Sequence, residues 1–157
     1  MNNFELEIVN ESEINVNEIR LLETASFAMT YLNLNPETEL SIALVTLAEM
    51  ERLHKEHMDE PGATDVLSFE MDEIRIPEDG DVAEPGILGD VILSPEFVKN
   101  QAAENDNEFE NEMDMLLVHG ILHLLGHDHA EPEEHEVMFG MQKSILAALT
   151  ISKEQKA

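Results

Sequence analysis

One stretch limits the possible folds more than any other. Met115 to Leu125, MLLVHGILHLL, is apolar nearly all round except at His119 and His123. A helix with no polar face is buried on every side, so the rest of the chain has to be built around it. Residues 119 and 123 are four apart, which stacks both imidazoles on one side of that helix. Buried imidazoles need partners, because an unsatisfied buried polar group costs about 1–3 kcal/mol. Gly126 follows at once, in the place where a left-handed residue ends a helix and turns the chain back. That reversal carries His129 toward the same point, with His127 as the alternative third residue.

Three neutral imidazoles form a donor set suited to zinc, and three protein ligands leave a fourth position open for water. The chain has no cysteine, which excludes disulfides and the thiolate ligands that usually close a structural zinc site. An open site favours hydrolysis, since zinc brings the pKa of a bound water to about 7. Coordination should weaken in acid, because imidazoles must be neutral to bind. Asp128 is a candidate acceptor for orienting one of the imidazoles, unless it is simply an exposed turn residue. The remaining histidines read as solvated: His54 and His57 three apart on an earlier helix, and His135 among Glu133, Glu134 and Glu136.

The rest of the chain supplies layers to cover this helix. Phe4-Glu5-Leu6-Glu7-Ile8 alternates as a strand with one wet face, and Leu40, Ile42 and Leu44 alternate as a second. Thr64 to Phe69 and Leu88 to Leu93 are the third and fourth. Helical spacing of Val16, Ile19, Leu22, Ala25, Met29 and Leu32 predicts a first helix, ended by Asn35-Pro36. Thr46 with Glu49 reads as a capping box opening a helix to about His57. A turn falls at Pro61-Gly62. Ser94-Pro95 is an N-cap followed by a first-position proline, starting a third helix. The last two helices lie near Phe109–Leu125 and Pro132–Leu149, the latter with Val137, Met141, Ile145 and Leu149 on one stripe. Pro77 to Pro85 is a polar loop and the best candidate for a mobile flap. This order of elements predicts one α/β domain with α+β character over residues 1–157, a four-stranded mixed sheet packed by about five helices.

Charge restricts the function. Thirty-five acids against eight bases give a formal charge of −27, and residues 100–140 hold eleven acids and no lysine or arginine. Such a surface repels polyanions at long range, which argues against a free-standing, non-specific nucleic-acid binder. It suits solubility, high salt or a basic partner. No stretch approaches the about 20 apolar residues of a membrane span. The opening MNNFELEIVNESEI is acidic from Glu5 onward and unlike a secretory leader. A cytoplasmic protein is expected, with no role for a membrane or DNA.

The histidine spacing matches a metzincin signature, H-E-x-x-H-x-x-G-x-x-H, at every position but one. Gly120 stands where those proteases carry a glutamate that moves the proton. Peptide hydrolysis by that route needs the carboxylate, and glycine can instead let the helix pack closely. Phosphodiester cleavage depends on it less, since a metal ion can neutralise a phosphate oxygen, supply the nucleophile, or in RNA assist the 2′-OH.

Three segments together, His119–His129 with Thr64-Asp65-Val66-Leu67-Ser68-Phe69 and Leu88-Gly89-Asp90-Val91-Ile92-Leu93-Ser94, resemble the YbeY family of bacterial endoribonucleases in order and spacing. Met58-Asp59-Glu60-Pro61-Gly62 and Ala130-Glu131-Pro132 look most like its actinobacterial branch. The resemblance implies an α/β fold with a metal cleft, and cleavage of single-stranded RNA in small-subunit rRNA 3′-end maturation and ribosome quality control. It carries the metal ligands onto His119, His123 and His129, and implies that Asp65 and Ser68 line the cleft opposite the metal or serve the fold alone. One Zn2+ per chain is expected, and no side chain is assigned as general base. Two departures matter. Many members have an arginine near Met58, so phosphate would fall to Arg52, Lys55, Arg75 or no base, and Glu70 replaces a frequent proline. Weak affinity for bare RNA is therefore expected, with docking on the small ribosomal subunit through a basic ribosomal protein. The alternatives are a metallopeptidase, weakened by Gly120, and a non-catalytic assembly factor whose structural metal is closed by His127 or Asp128.

Overall fold

Alternation along each strand sorts its side chains between two faces, and the sorting here is consistent across the sheet. The computed structural model describes residues 4–58, 62, 64–78 and 80–156. Its elements are β1 (Glu5–Asn10), α1 (Glu18–Tyr31), β2 (Glu39–Leu44), α2 (Leu47–Met58), β3 (Val66–Glu70), β4 (Ile87–Leu93), α3 (Pro95–Glu104), α4 (Phe109–Leu124) and α5 (Pro132–Lys156). The sheet runs β1-β2-β4-β3, with β1, β2 and β4 parallel and β3 antiparallel at the edge. Leu40, Ile42 and Leu44 of β2 join Leu88, Val91 and Leu93 of β4 in the main core with α1 and α4. Ala43, Ile92, Leu67 and Phe69 point the other way, onto Met50 and Leu53 of α2. A mixed sheet in one small α/β domain is the expected class.

The all-apolar helix lies at the centre, as its composition requires: α4 touches α1, α3, α5, β3 and β4. One buried polar cluster fixes α1 against it. Asp114, 4% exposed, accepts from Arg20 Nε and Nη2 at 3.0 and 2.8 Å and from Thr24 Oγ1 at 2.9 Å.

Several local expectations change. In α1 the inward face is Leu21, Thr24, Ala25, Ala28 and Met29, while Ile19 is 71% exposed. The helix is rotated from its purely apolar stripe because Thr24 and Arg20 must reach Asp114. It also stops before Asn35-Pro36. Asn33 takes φ +58° and a Schellman pair closes the end, Leu34 N–H to Met29 O and Asn33 N–H to Thr30 O. In α2, Thr46 Oγ1 accepts the Glu49 N–H as expected, but the Glu49 carboxylate turns to Arg52 instead of completing the box. Ser94 occupies the N-cap position of α3 without a side-chain cap bond.

In α5 the inward positions are Met138, Gln142, Ile145 and Leu149, whereas Val137 is 55% exposed. The predicted stripe had the wrong phase in its first half, where a buried glutamine replaces the expected apolar residue. The helix also continues past Leu149 to Lys156, and Lys153 Nζ comes within 3.8 Å of Asp114. The predicted flap is pinned near its C-terminal end. Ala83 is buried and donates its N–H to Asn33 O. Asp79 of that loop and Pro61 of the predicted turn lie outside the described residues.

Candidate metal centre

The site is made by the way α4 ends. Leu125 is the last near-helical residue, Gly126 takes φ +91°, and a second Schellman pair forms, His127 N–H to Leu122 O and Gly126 N–H to His123 O. The φ favours glycine, and a β-carbon here would stand 2.6 Å from Arg75 Nε and displace that side chain. The reversal brings His129 back over the helix. Ligand atoms of His119, His123 and His129 all lie within 4.8 Å of one another, and among the described residues this is the one such cluster. The His127 side chain is not part of it; its backbone carbonyl supports His123 from behind.

The two helical imidazoles are held from behind. His123 Nδ1 lies 2.9 Å from the His127 carbonyl, to which it must donate, and His119 Nδ1 lies 2.8 Å from Gln142 Oε1. With the Gln142 oxygen presented to the ring, each Nδ1 carries the proton and each Nε2 presents a lone pair. Those two Nε2 atoms are 3.1 Å apart. Two lone pairs facing one another at that distance repel unless a proton or a cation stands between them. Nitrogens about 2.0–2.1 Å from one tetrahedral zinc lie about 3.3–3.4 Å apart, so the spacing and donor type fit such an ion. Asp128 does not orient an imidazole. Its Oδ1 accepts the His129 backbone N–H at 2.7 Å and so fixes the loop of the third histidine.

Burial holds the His119 and His123 pKa values below the usual imidazole value. For His123 the neighbouring His119 and His129 add to the effect, whereas Gln142 and the charge of Asp65 partly oppose it at His119. The sign follows directly. Below the unfolded-state pKa of about 6.5, the unfolded chain takes up protons that the folded site resists. Metal-free protein should therefore lose stability as pH falls through that value, until the folded-state values are reached. The ring resonances of both histidines should titrate below about 6.5 in metal-free protein. Midpoints above it would contradict the burial described here.

A cleft of about 480 Å³ opens in front of the histidines, bordered by β3 and the residues before it, with Asp65, Ser68 and Glu70 among its lining. Asp65 is tied by its Oδ1 to the Val66 N–H at 2.8 Å and by its Oδ2 to Gln101 Nε2 at 3.4 Å. Ser68 Oγ donates to the Gly120 carbonyl at 3.0 Å, clamping the ligand helix to the edge strand. A β-carbon on Gly120 would meet Val91 Cγ1 at 2.8 Å and Ser68 Oγ at 3.1 Å. Close packing is thus the use of that glycine.

Of the candidate phosphate-binding bases, Arg52 is paired with Glu49 and Glu56 on the outer face of α2. The Glu49 hydrogen bond raises its pKa further. Lys55 is exposed on that helix. Arg75 alone reaches the site, lying over the Gly126 turn with its guanidinium bonded to Glu70 and Glu73. Burial and the Arg75 charge lower the His127 pKa. Met58 lines the cleft. His54 and His57 are not at the metal site: His54 Nδ1 lies 3.0 Å from Gly62 O, and His57 sets its ring edge on Phe69.

Comparison with known proteins settles the family. Residues 6–150 match the family described as Endoribonuclease YbeY. The chain belongs to that family. Among curated relatives bearing the same description, the Thermobifida fusca protein is 45% identical over 151 residues, spanning 96% of this chain and 97% of that one. The Cutibacterium acnes protein is 48% identical over 150 residues with the same coverage. The solution structure of TM1509 from Thermotoga maritima shares the fold, with a TM-score of 0.63 at 23% identity over 98% of this chain and 93% of that one. The YbeY fold is thus the setting of the three histidines. No helix among the described residues is long and apolar enough to cross a membrane.

Two residues of the site escaped the sequence reading, Gln142 and Phe139. Gln142 is 6% exposed and holds His119. Its signal was a polar residue at a core phase of α5. Gln142→Leu should lower metal affinity by about 10–100-fold, the usual cost of removing a ligand's hydrogen-bond partner. Chelator competition measures this, and unchanged affinity would mean that the bond does not hold the ligand.

Proposed function

We propose that this protein is a cytoplasmic, zinc-dependent endoribonuclease that cuts single-stranded RNA, acting in small-subunit rRNA 3′-end maturation and ribosome quality control. One observation carries the reading within a family of endoribonucleases: two Nε2 lone pairs 3.1 Å apart, each imposed by an acceptor on the opposite ring nitrogen, with a third imidazole beside them. Among the described residues the cluster gathers three ligands, and neither His127 nor Asp128 closes it. That favours an open, reactive site over a structural one.

Zinc bound there would supply Lewis acidity toward a phosphate oxygen and acidify a water. The chain's own residues do the rest. His119, His123 and His129 fix the position, with Gln142 and the His127 carbonyl setting the tautomers of the first two. Ser68, through its hydrogen bond to the Gly120 carbonyl, ties the ligand helix to β3. Asp65 lines the same cleft as the histidines, tied down by Val66 and Gln101.

The acidic surface then has a use. Glu131, Glu133, Glu134 and Glu136 are exposed around the start of α5, close to the metal centre. They dock a basic protein of the small ribosomal subunit, which brings the RNA to a cleft that charge alone would not attract.

The test offers purified protein a single-stranded RNA spanning the 3′ end of small-subunit rRNA precursor, and the same RNA annealed to its complement. Cleavage of the first and sparing of the second is expected. If both survive in the presence of zinc and of small subunits, the protein is an assembly factor rather than a nuclease.

A further inference from the structure

A second recess, of about 260 Å³, shares Asp65, His119 and His129 with the metal cleft and is bordered beyond them by Phe139, Met115 and Gln142. Phe139 is 36% exposed and off the core face of α5, so core packing does not account for it. Its ring centroid lies 5.5 Å from that of His119 and 6.0 Å from that of His129. His135 stacks on it at 4.3 Å and 25°. A row of aromatic rings, stacked at its outer end and tilted at its inner end, therefore leads from solvent to the metal ligands.

The size and chemistry of the recess narrow its occupant. Pockets for drug-sized ligands run about 300–1,000 Å³, so this one suits a single ring system. Gln142 Oε1 is taken by His119 Nδ1, which leaves the amide nitrogen to donate to a ring carbonyl. Carboxylates of Asp65 and Glu70 line the neighbouring cleft, and Arg75 is already paired with Glu70 and Glu73. A polyanion held at such a place must be held by contacts other than charge. Stacking on an aromatic ring is such a contact, open to any base that is unpaired.

We propose that the recess is the subsite for one unpaired nucleobase beside the bond that is cut, stacked on Phe139 with its edge toward the Gln142 amide. The proposal rests on the endoribonuclease reading and gives it a source of strand selectivity. A base committed to a duplex cannot enter.

The experiment uses zinc-loaded full-length protein and a set of short single-stranded RNAs, each carrying the fluorescent base 2-aminopurine at a different position. Copies blocked at the 2′-OH report binding, and unblocked copies report cleavage. Wild type should quench the fluorophore at the position next to the cut. Phe139→Leu keeps an apolar side chain beside His119 and His129 and removes no ligand atom, so it should keep its zinc. It should lose the quench and cleave with kcat/KM roughly five- to a hundredfold lower, the effect of removing one base-stacking ring. Phe139→Trp should retain both. An abasic nucleotide at that position should slow wild type to the level of Phe139→Leu and slow the variant no further. Phe139→Leu with full zinc, wild-type quenching and wild-type cleavage would overturn the subsite. Quenching at one position by wild type, lost in Phe139→Leu, without any cleavage would uphold the recess as a base-binding site and sink the nuclease reading, and cleavage without quenching would do the reverse.

Discussion

Gly120→Glu should give an unstable protein and no peptidase, although it completes the protease signature H-E-x-x-H-x-x-G-x-x-H. The β-carbon alone would meet Val91 Cγ1 at 2.8 Å, and Val91 is fully buried in the sheet beneath α4. Overpacking of this kind costs about 1–3 kcal/mol. A carboxylate forced into the same space adds its own desolvation, so a total of about 3 kcal/mol or more is expected. For a domain of this length that lowers Tm by about 6–12 °C, readable by calorimetry. Gly120→Ala should show the packing cost alone and fall between the two. A stable Gly120→Glu protein would contradict the packing role given to this glycine.

His119→Ala and His123→Ala should each release the metal, with a loss of affinity larger than the about 10–100-fold that accompanies removal of a supporting hydrogen bond. His129→Ala should do the same. His127→Ala should not, because His127 contributes its carbonyl to His123 Nδ1 and any residue there can supply that. Metal content by atomic emission separates the two outcomes. A His127→Ala protein without metal, beside a His129→Ala protein with it, would exchange their roles.

Much of this site was legible in the sequence because it is local. His119, His123, Gly126 and His129 fall within eleven residues, and helical period plus one left-handed turn nearly fix their geometry. The close packing of Gly120 was legible too, as an alternative to catalysis. What the sequence did not yield depends on contacts between distant segments. The faces of α1 and α5 were misjudged where a polar residue is buried for a partner far along the chain: Thr24 for Asp114, and Gln142 for His119. Apolar periodicity assigns such residues to the surface. For Asp128 the sequence offers two readings, an acceptor behind an imidazole or an exposed turn residue; here a backbone carbonyl and an amide stand behind the imidazoles, and Asp128 caps the His129 N–H in the turn. Of the three bases offered in place of the missing arginine, tertiary packing brought only Arg75 to the site, over a glycine fifty-one residues away.

The most direct test of metal-dependent RNA cleavage by these histidines compares wild type and His123→Ala on single-stranded rRNA precursor. The two are purified side by side, with metal content recorded before and after chelation and zinc repletion. Wild type should contain one zinc per chain, cleave, stop cleaving when stripped, and recover on repletion. His123→Ala should hold no zinc and cleave under none of these conditions. Equal cleavage by both proteins, or undiminished cleavage by stripped wild type, would contradict the metal centre as the seat of the activity.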